Sequence, residues 1–143
     1  MSFSKFIADV SESVFDHYGD KLKALAIFPS DPILMLIILE DVDSISFLAR
    51  GQIFNHFYKK QRNKTEYRKF IVDNQSDPPV IGLILSPGEV GHFYPIVIST
   101  ITFGYVVYDP DKILDIKNWK AIEDMGIKFI DLKNIKKGEV LEL

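Results

Sequence analysis

The side chains best suited to proton transfer or metal binding near neutral pH are histidines, and the chain has three: His17, His56 and His92. No two have the spacing of a helical metal pair, so the sequence offers no zinc-type motif. His17 at a helix end and His56 on a helix surface read as ordinary surface residues. Nucleophilic chemistry has less to work with, because the absence of cysteine excludes disulfides, thiolate nucleophiles and thiolate-bound zinc or iron–sulfur centres. The remaining candidate chemistry is contact with phosphates. Lys59, Lys60, Arg62, Lys64, Arg68 and Lys69 form a dense basic cluster, with Tyr58, Tyr67 and Phe70 interleaved, that could meet a nucleic-acid backbone. Against this, 17 Lys+Arg are set against 20 Asp+Glu, a net charge of -3. The cluster reads better as a solvated helix face whose aromatics point inward, and nucleic acid is not the expected partner. Neither a Gly-rich dinucleotide fingerprint nor a P-loop is present.

These residues must be positioned by one domain. The chain has 143 residues, 47% hydrophobic and 26% charged, which suits a single core, and no linker or repeat divides residues 1–143. The longest apolar run, Ile33 to Leu39, is far below the ~20 residues that cross a bilayer, and the first residues lack the features of a signal peptide. A soluble cytoplasmic protein with no membrane partner is expected.

Phe3, Phe6, Ile7, Val10, Val14 and Tyr18 fall at helical spacing, with Ser2 or Ser4 as N-cap and Gly19 as a left-handed stop. Leu22 to Phe28 and Ile33 to Leu39 predict two buried strands joined as a hairpin through Pro29-Ser30-Asp31-Pro32. Asp43 or Ser44 could cap a helix to about Gln61 with Phe47, Phe54, Phe57 and Tyr58 inward and Gly51 as a weak point. A further helix over Thr65 to Val72 and a strand over Val80 to Leu85 follow. Ser86-Pro87-Gly88-Glu89 has the form of an N-cap, an N1 proline and an early acid. Pro95 to Thr102 favours a strand on its β-branched composition alone. Tyr105 to Tyr108 predicts a strand. Asp109-Pro110-Asp111 predicts a turn into a helix with Ile113, Ile116, Trp119 and Ile122 inward and Gly126 as its stop, before strands over Ile127 to Leu132 and Glu139 to Leu143. The class is α/β of the mixed α+β kind, a mixed sheet flanked by helices.

Gly91-His92-Phe93-Tyr94, followed by Tyr108-Asp109-Pro110, resembles the His and Asp portion of papain-like peptidases, where an Asp orients a His that activates a thiol. Without cysteine the base has no nucleophile, and that reading is set aside.

The order of segments carries a broader resemblance, covering nearly the whole chain. Pro78-Pro79-Val80-Ile81 into Ile84-Leu85-Ser86-Pro87-Gly88-Glu89, Pro95 to Ile98 through Gly104 to Asp109, and Met125-Gly126-Ile127-Lys128 follow one another in order. They are preceded by Tyr18-Gly19-Asp20-Lys21-Leu22, Ala26-Ile27-Phe28 and Ile33 to Asp41. This succession resembles the minimal nucleotidyltransferases of the DNA polymerase beta superfamily. The resemblance implies a nucleotidyltransferase-like fold and turns Pro95 to Thr102 into a short helix. Met125 to Lys128 would be the closing turn, with Phe129 where that family commonly has Arg.

In that family a Gly-Ser turn presents amides to nucleotide phosphates, and an Asp-x-Asp with a third carboxylate holds two magnesium ions. Here Phe28-Pro29-Ser30 stands in place of the Gly-Ser turn, and Pro29 has no N–H to donate. The spacer before the aspartates is missing. Asp31 is the one surviving acid, Ile33 occupies the place of the second, and Val80 to Leu85 contains none. Two divalent ions about 4 Å apart repel by about 16 kcal/mol at an effective dielectric of 20, which one carboxylate does not offset.

The expectation is a degenerate nucleotidyltransferase-like protein acting by binding, as a regulatory or partner subunit, with no cofactor. Ser30 and Asp31 would be its catalytic remnant. By resemblance the partner would be a small helical protein of the HEPN type, as in toxin–antitoxin-like modules, or a second copy in a homo-oligomer. Two alternatives are carried forward. One is an active enzyme using Mg and an NTP at a reduced site with Asp31 as metal ligand, helped by Glu40 or Asp41. The other is a nucleic-acid-binding module using the 59–69 cluster. Phe93, Tyr94 or Trp119 would belong to an interface if exposed in a patch.

Overall fold

Two adjacent apolar runs with only four residues between them can bury their backbone polar groups most directly by pairing with each other. They do so in the computed structural model, which describes residues 3–92 and 94–114. Strand β1 (Leu22–Phe28) pairs antiparallel with β2 (Ile33–Leu39), from Leu22 opposite Leu39 to Phe28 opposite Leu34. A bulge between Leu22 and Ala24 breaks the alternation of β1 and turns Lys23 toward Glu40, at 3.1 Å. Helix α1 (Phe3–Tyr18) precedes the hairpin and ends at Gly19, whose φ of +53° is the left-handed stop that glycine permits.

Beyond β2 come α2 (Phe47–Lys60), α3 (Thr65–Asn74), β3 (Val80–Leu85), the single turn α4 (Pro87–Val90), α5 (Pro95–Phe103) and β4 (Tyr105–Tyr108). Strand β3 runs parallel to β2, β4 antiparallel to β1, and the sheet order is β3-β2-β1-β4. Among the described residues this is a mixed four-stranded sheet with helices on both faces. Because β2 is central and covered on both sides, Leu34 through Leu39 are all buried, which explains its unbroken apolar run.

On one face Phe6, Val10 and Val14 of α1 and Phe54, Phe57 and Tyr58 of α2 pack on Leu25, Met35 and Ile37. On the other, Val90, Val97 and Leu114 pack on Ala24, Ala26, Leu36 and Ile38. The small alanines of β1 leave room for α5 to lie close to the sheet. Among the described residues, no helix is long and apolar enough to cross a membrane.

Two local expectations need correction. The N-cap of α2 is Ser46, whose hydroxyl accepts from the Ala49 amide at 3.2 Å, not Asp43 or Ser44. Asp43 is engaged instead by the Ser86 hydroxyl. Phe47 is not inward but 55% exposed, lying beneath the Arg50 guanidinium at 4.5 Å. Pro95–Phe103 is helical, as the resemblance implies for Pro95 to Thr102 and against its β-branched composition. Pro95 starts it, and Thr100 and Thr102 donate their hydroxyls to Ile96 and Ile98 carbonyls at 2.7 Å each. Ile113 is half-buried, whereas Ser2, Ile116, Trp119, Ile122, Gly126, the 125–129 segment and the strands expected over 127–132 and 139–143 lie outside the described residues.

Candidate functional site

The hairpin tip carries the residues singled out for phosphate chemistry. Pro29, Ser30, Asp31 and Pro32 are all exposed. The Ser30 amide donates to the Phe28 carbonyl at 2.8 Å and its hydroxyl to the Pro32 carbonyl at 2.7 Å, so both polar groups of Ser30 close the turn. Among the described residues, no group of three or more His, Asp or Glu is arranged to hold a metal ion, at Asp31 or elsewhere. Glu40 and Asp41, the acids considered as substitutes, follow the far end of β2. At ~3.3 Å per residue they lie about 25 Å from Asp31, beyond the reach of any shared ion. They pair locally, Glu40 with Lys23 and Asp41 with Lys21 at 3.9 Å.

All six cations of the basic cluster are exposed, while Tyr58, Tyr67 and Phe70 are buried. Lys60 lies over the Phe57 ring at 5.2 Å, and Lys64 is 3.9 Å from the buried Asp9 carboxylate. No interleaved ring is left at the surface for a base to stack on, which restricts any nucleic-acid contact here to phosphates. Tyr58 donates to the Pro78 carbonyl at 2.7 Å and Tyr67 to Asp77, so these hydroxyls fasten the loop before β3. Burial pushes both phenols above the ordinary tyrosine value.

The histidines are dispersed. His17 stacks on Tyr18 and Phe57, His56 on Phe57, and His92 near Tyr94. Both carboxylate oxygens of Asp109 accept backbone amides, from Ile113 at 2.8 Å and Leu114 at 2.9 Å, so Asp109 serves the turn after β4.

The most organised polar centre lies where the parallel strands β2 and β3 end, and its key residue was not anticipated. Arg50, 3% exposed, has five N–H donors, and all are engaged. Nε donates to the Ile45 carbonyl at 2.8 Å, and Nη1 to the Ile84 carbonyl at 3.1 Å and Glu89 Oε1 at 2.7 Å. Nη2 donates to the Val42 carbonyl at 2.7 Å and Glu89 Oε2 at 3.1 Å. Glu89 also closes a capping box: the Ser86 amide donates to its Oε1 at 2.7 Å, and its own amide donates to the Ser86 hydroxyl oxygen at 3.2 Å. The signal in the sequence was positional, since Arg50, Phe54, Phe57 and Gln61 share one helical stripe and an arginine among them must be buried.

Burial raises the Glu89 carboxyl, but the Arg50 guanidinium and the Ser86 amide outweigh it and hold the group below the ordinary carboxylate range. A carboxyl depressed in the folded chain contributes stability that is complete above its unfolded pKa and lost as pH falls through the folded one. Wild-type protein should therefore lose stability below about pH 4.5, whereas Glu89→Gln starts less stable by about 2 kcal/mol at neutral pH and loses less on acidification. Urea midpoints measured from about pH 7 to pH 3 give the two slopes.

Chemically this centre holds β2, β3 and α4 together. Ser86 is 1% exposed, so no substrate reaches its hydroxyl, and the fork of Arg50 has no donor left for a phosphate. Compared with protein-family models, curated proteins and solved structures, the chain matches none.

Proposed function

We propose that the chain is a catalytically degenerate nucleotidyltransferase-like protein that acts by binding, as a regulatory or partner subunit. The observation that carries this reading is the hairpin tip. In the family that the sequence resembles, that position must hold an open turn with amides aimed at a triphosphate and two aspartates converging on magnesium. Here four residues close the turn on itself, Ser30 is engaged within it, and no group of three acids or histidines among the described residues could hold a metal ion with Asp31. The antiparallel β1–β2 pair and the parallel β3 are compatible with such a scaffold. A helical partner of the HEPN type, as in toxin–antitoxin-like modules, is the family's precedent for a binding role.

Incubating the protein with each NTP, Mg or Mn, and candidate protein and RNA acceptors should give no label transfer, and calorimetric titration with Mg-NTP should give no heat at millimolar ligand. Transfer that Asp31→Ala abolishes would restore the enzymatic reading, with Asp31 as ligand. Binding of RNA or DNA that falls steeply with salt, and disappears when Arg62 and Arg68 are replaced, would favour the phosphate-contact reading.

A further inference from the structure

We propose that the protein forms a twofold homodimer in which β3 pairs antiparallel with β3 of a second copy, Gly82 facing Gly82, to join the two sheets into one.

The pairing follows from which backbone groups β3 leaves open. Among the described residues it is an edge strand, and the Ile33 amide donates to the Pro79 carbonyl at 2.9 Å, so alternate residues from Pro79 onward face β2. Val80, Gly82 and Ile84 therefore turn their N–H and C=O groups outward, as the Arg50 bond to the Ile84 carbonyl requires. Among the described residues two of these six groups are engaged: the Val80 amide by the Pro78 carbonyl at 2.9 Å, and the Ile84 carbonyl by Arg50 at 3.1 Å. The four that remain are the Val80 carbonyl, both groups of Gly82, and the Ile84 amide. Under a twofold axis at Gly82 this set is self-complementary. The glycines exchange two bonds, and each Ile84 amide meets the other copy's Val80 carbonyl. The two groups already engaged are the ones that would otherwise have to face each other.

The surroundings fit the same occupant. The six residues of β3 include no charge and no proline, the residues that commonly protect an edge. The edge is flanked by a cavity of about 300 Å³ lined by Gly51, Asn55 and Tyr58. A second cavity of about 290 Å³ is lined by Phe47, Leu83, Tyr94 and Ile96. Phe47, Ile81, Tyr94 and Ile96 are large apolar side chains left exposed at or near this edge.

Gly51 supplies an independent indication. It lies inside α2, where glycine costs about 1 kcal/mol relative to alanine, yet a side chain there would meet nothing within 4 Å. The twofold axis places α2 of both copies on the same face of the joined sheet, side by side, and a glycine at that position lets them approach.

Sedimentation equilibrium of the full chain at tens of micromolar should give twice the 16.4 kDa chain mass. Ile81→Lys sets cations around the axis, and Gly51→Lys inserts a side chain between the helices while raising helix propensity. Each should weaken association at least 100-fold and leave the folded far-UV spectrum unchanged. In hydrogen exchange the Gly82 amide should gain protection with wild-type concentration. The proposal is overturned by a wild-type monomer at hundreds of micromolar, by a dimer indifferent to both substitutions, or by a Gly82 amide that exchanges equally fast at all concentrations. Protection of Gly82 only on adding a different protein would likewise replace the second copy with that partner.

Discussion

Arg50→Ala is expected to destabilise the protein by about 3–5 kcal/mol, enough to unfold much of a domain whose total stability is of the order of 5–15 kcal/mol. The loss comes from what remains behind. The carbonyls of Val42, Ile45 and Ile84 lose a charged donor, and Glu89 keeps its carboxylate with no cation beside it. Arg50→Lys should recover little, because an ammonium group has three donors and no planar fork to meet Glu89 and three carbonyls together. The double variant Arg50→Ala/Glu89→Gln should lose clearly less than the two single variants summed, since each single change leaves the same pair broken. Urea denaturation of the four proteins at neutral pH measures the coupling, and strict additivity would show that the pair is not the source.

The second large effect is expected at Gly104, through the backbone alone. A Cβ there would stand 2.5 Å from the Ile27 carbonyl oxygen and 2.5 Å from that of Thr100. Neither oxygen can move independently: Ile27 lies in β1, paired on both sides, and Thr100 accepts the Gly104 amide at 2.9 Å to end α5. Gly104→Ala must separate the end of α5 from β1, at about 3 kcal/mol. Gly88→Ala is the matched control, since its nearest neighbour would be 3.9 Å away and its effect should stay within about 0.5 kcal/mol. Thermal or urea unfolding of both variants tests the contrast.

Where the determinants are local, the sequence was legible. Pro29-Ser30-Asp31-Pro32 announces the hairpin, and Ser86-Pro87-Gly88-Glu89 announces a capped turn that forms both of its reciprocal bonds. The edges of β1, β2 and β3 follow from where their apolar runs stop. Features set by distant contacts were not legible. Val97 and Thr100 are buried against the sheet, and that packing overrides a β-branched composition in α5. Ser46 caps α2 because Asp43 is drawn to Ser86, a partner 43 residues away. At the candidate site, Ser30 and Asp31 lie at the hairpin tip where their spacing placed them, and the basic cluster is exposed with its aromatics inward. Arg50 escaped notice because its ion pair spans 39 residues, a distance no local motif encodes.

The exposed tip between β1 and β2 has one more consequence. Its four residues are exposed and the Ser30 hydrogen bonds stay within the turn, so the scaffold places little restriction on how long that crossing is. Inserting roughly ten flexible residues between Phe28 and Ile33 would add only about 1 kcal/mol of closure entropy. The two strands would keep their register, and a segment of quite different chemistry could be displayed from an otherwise unaltered body.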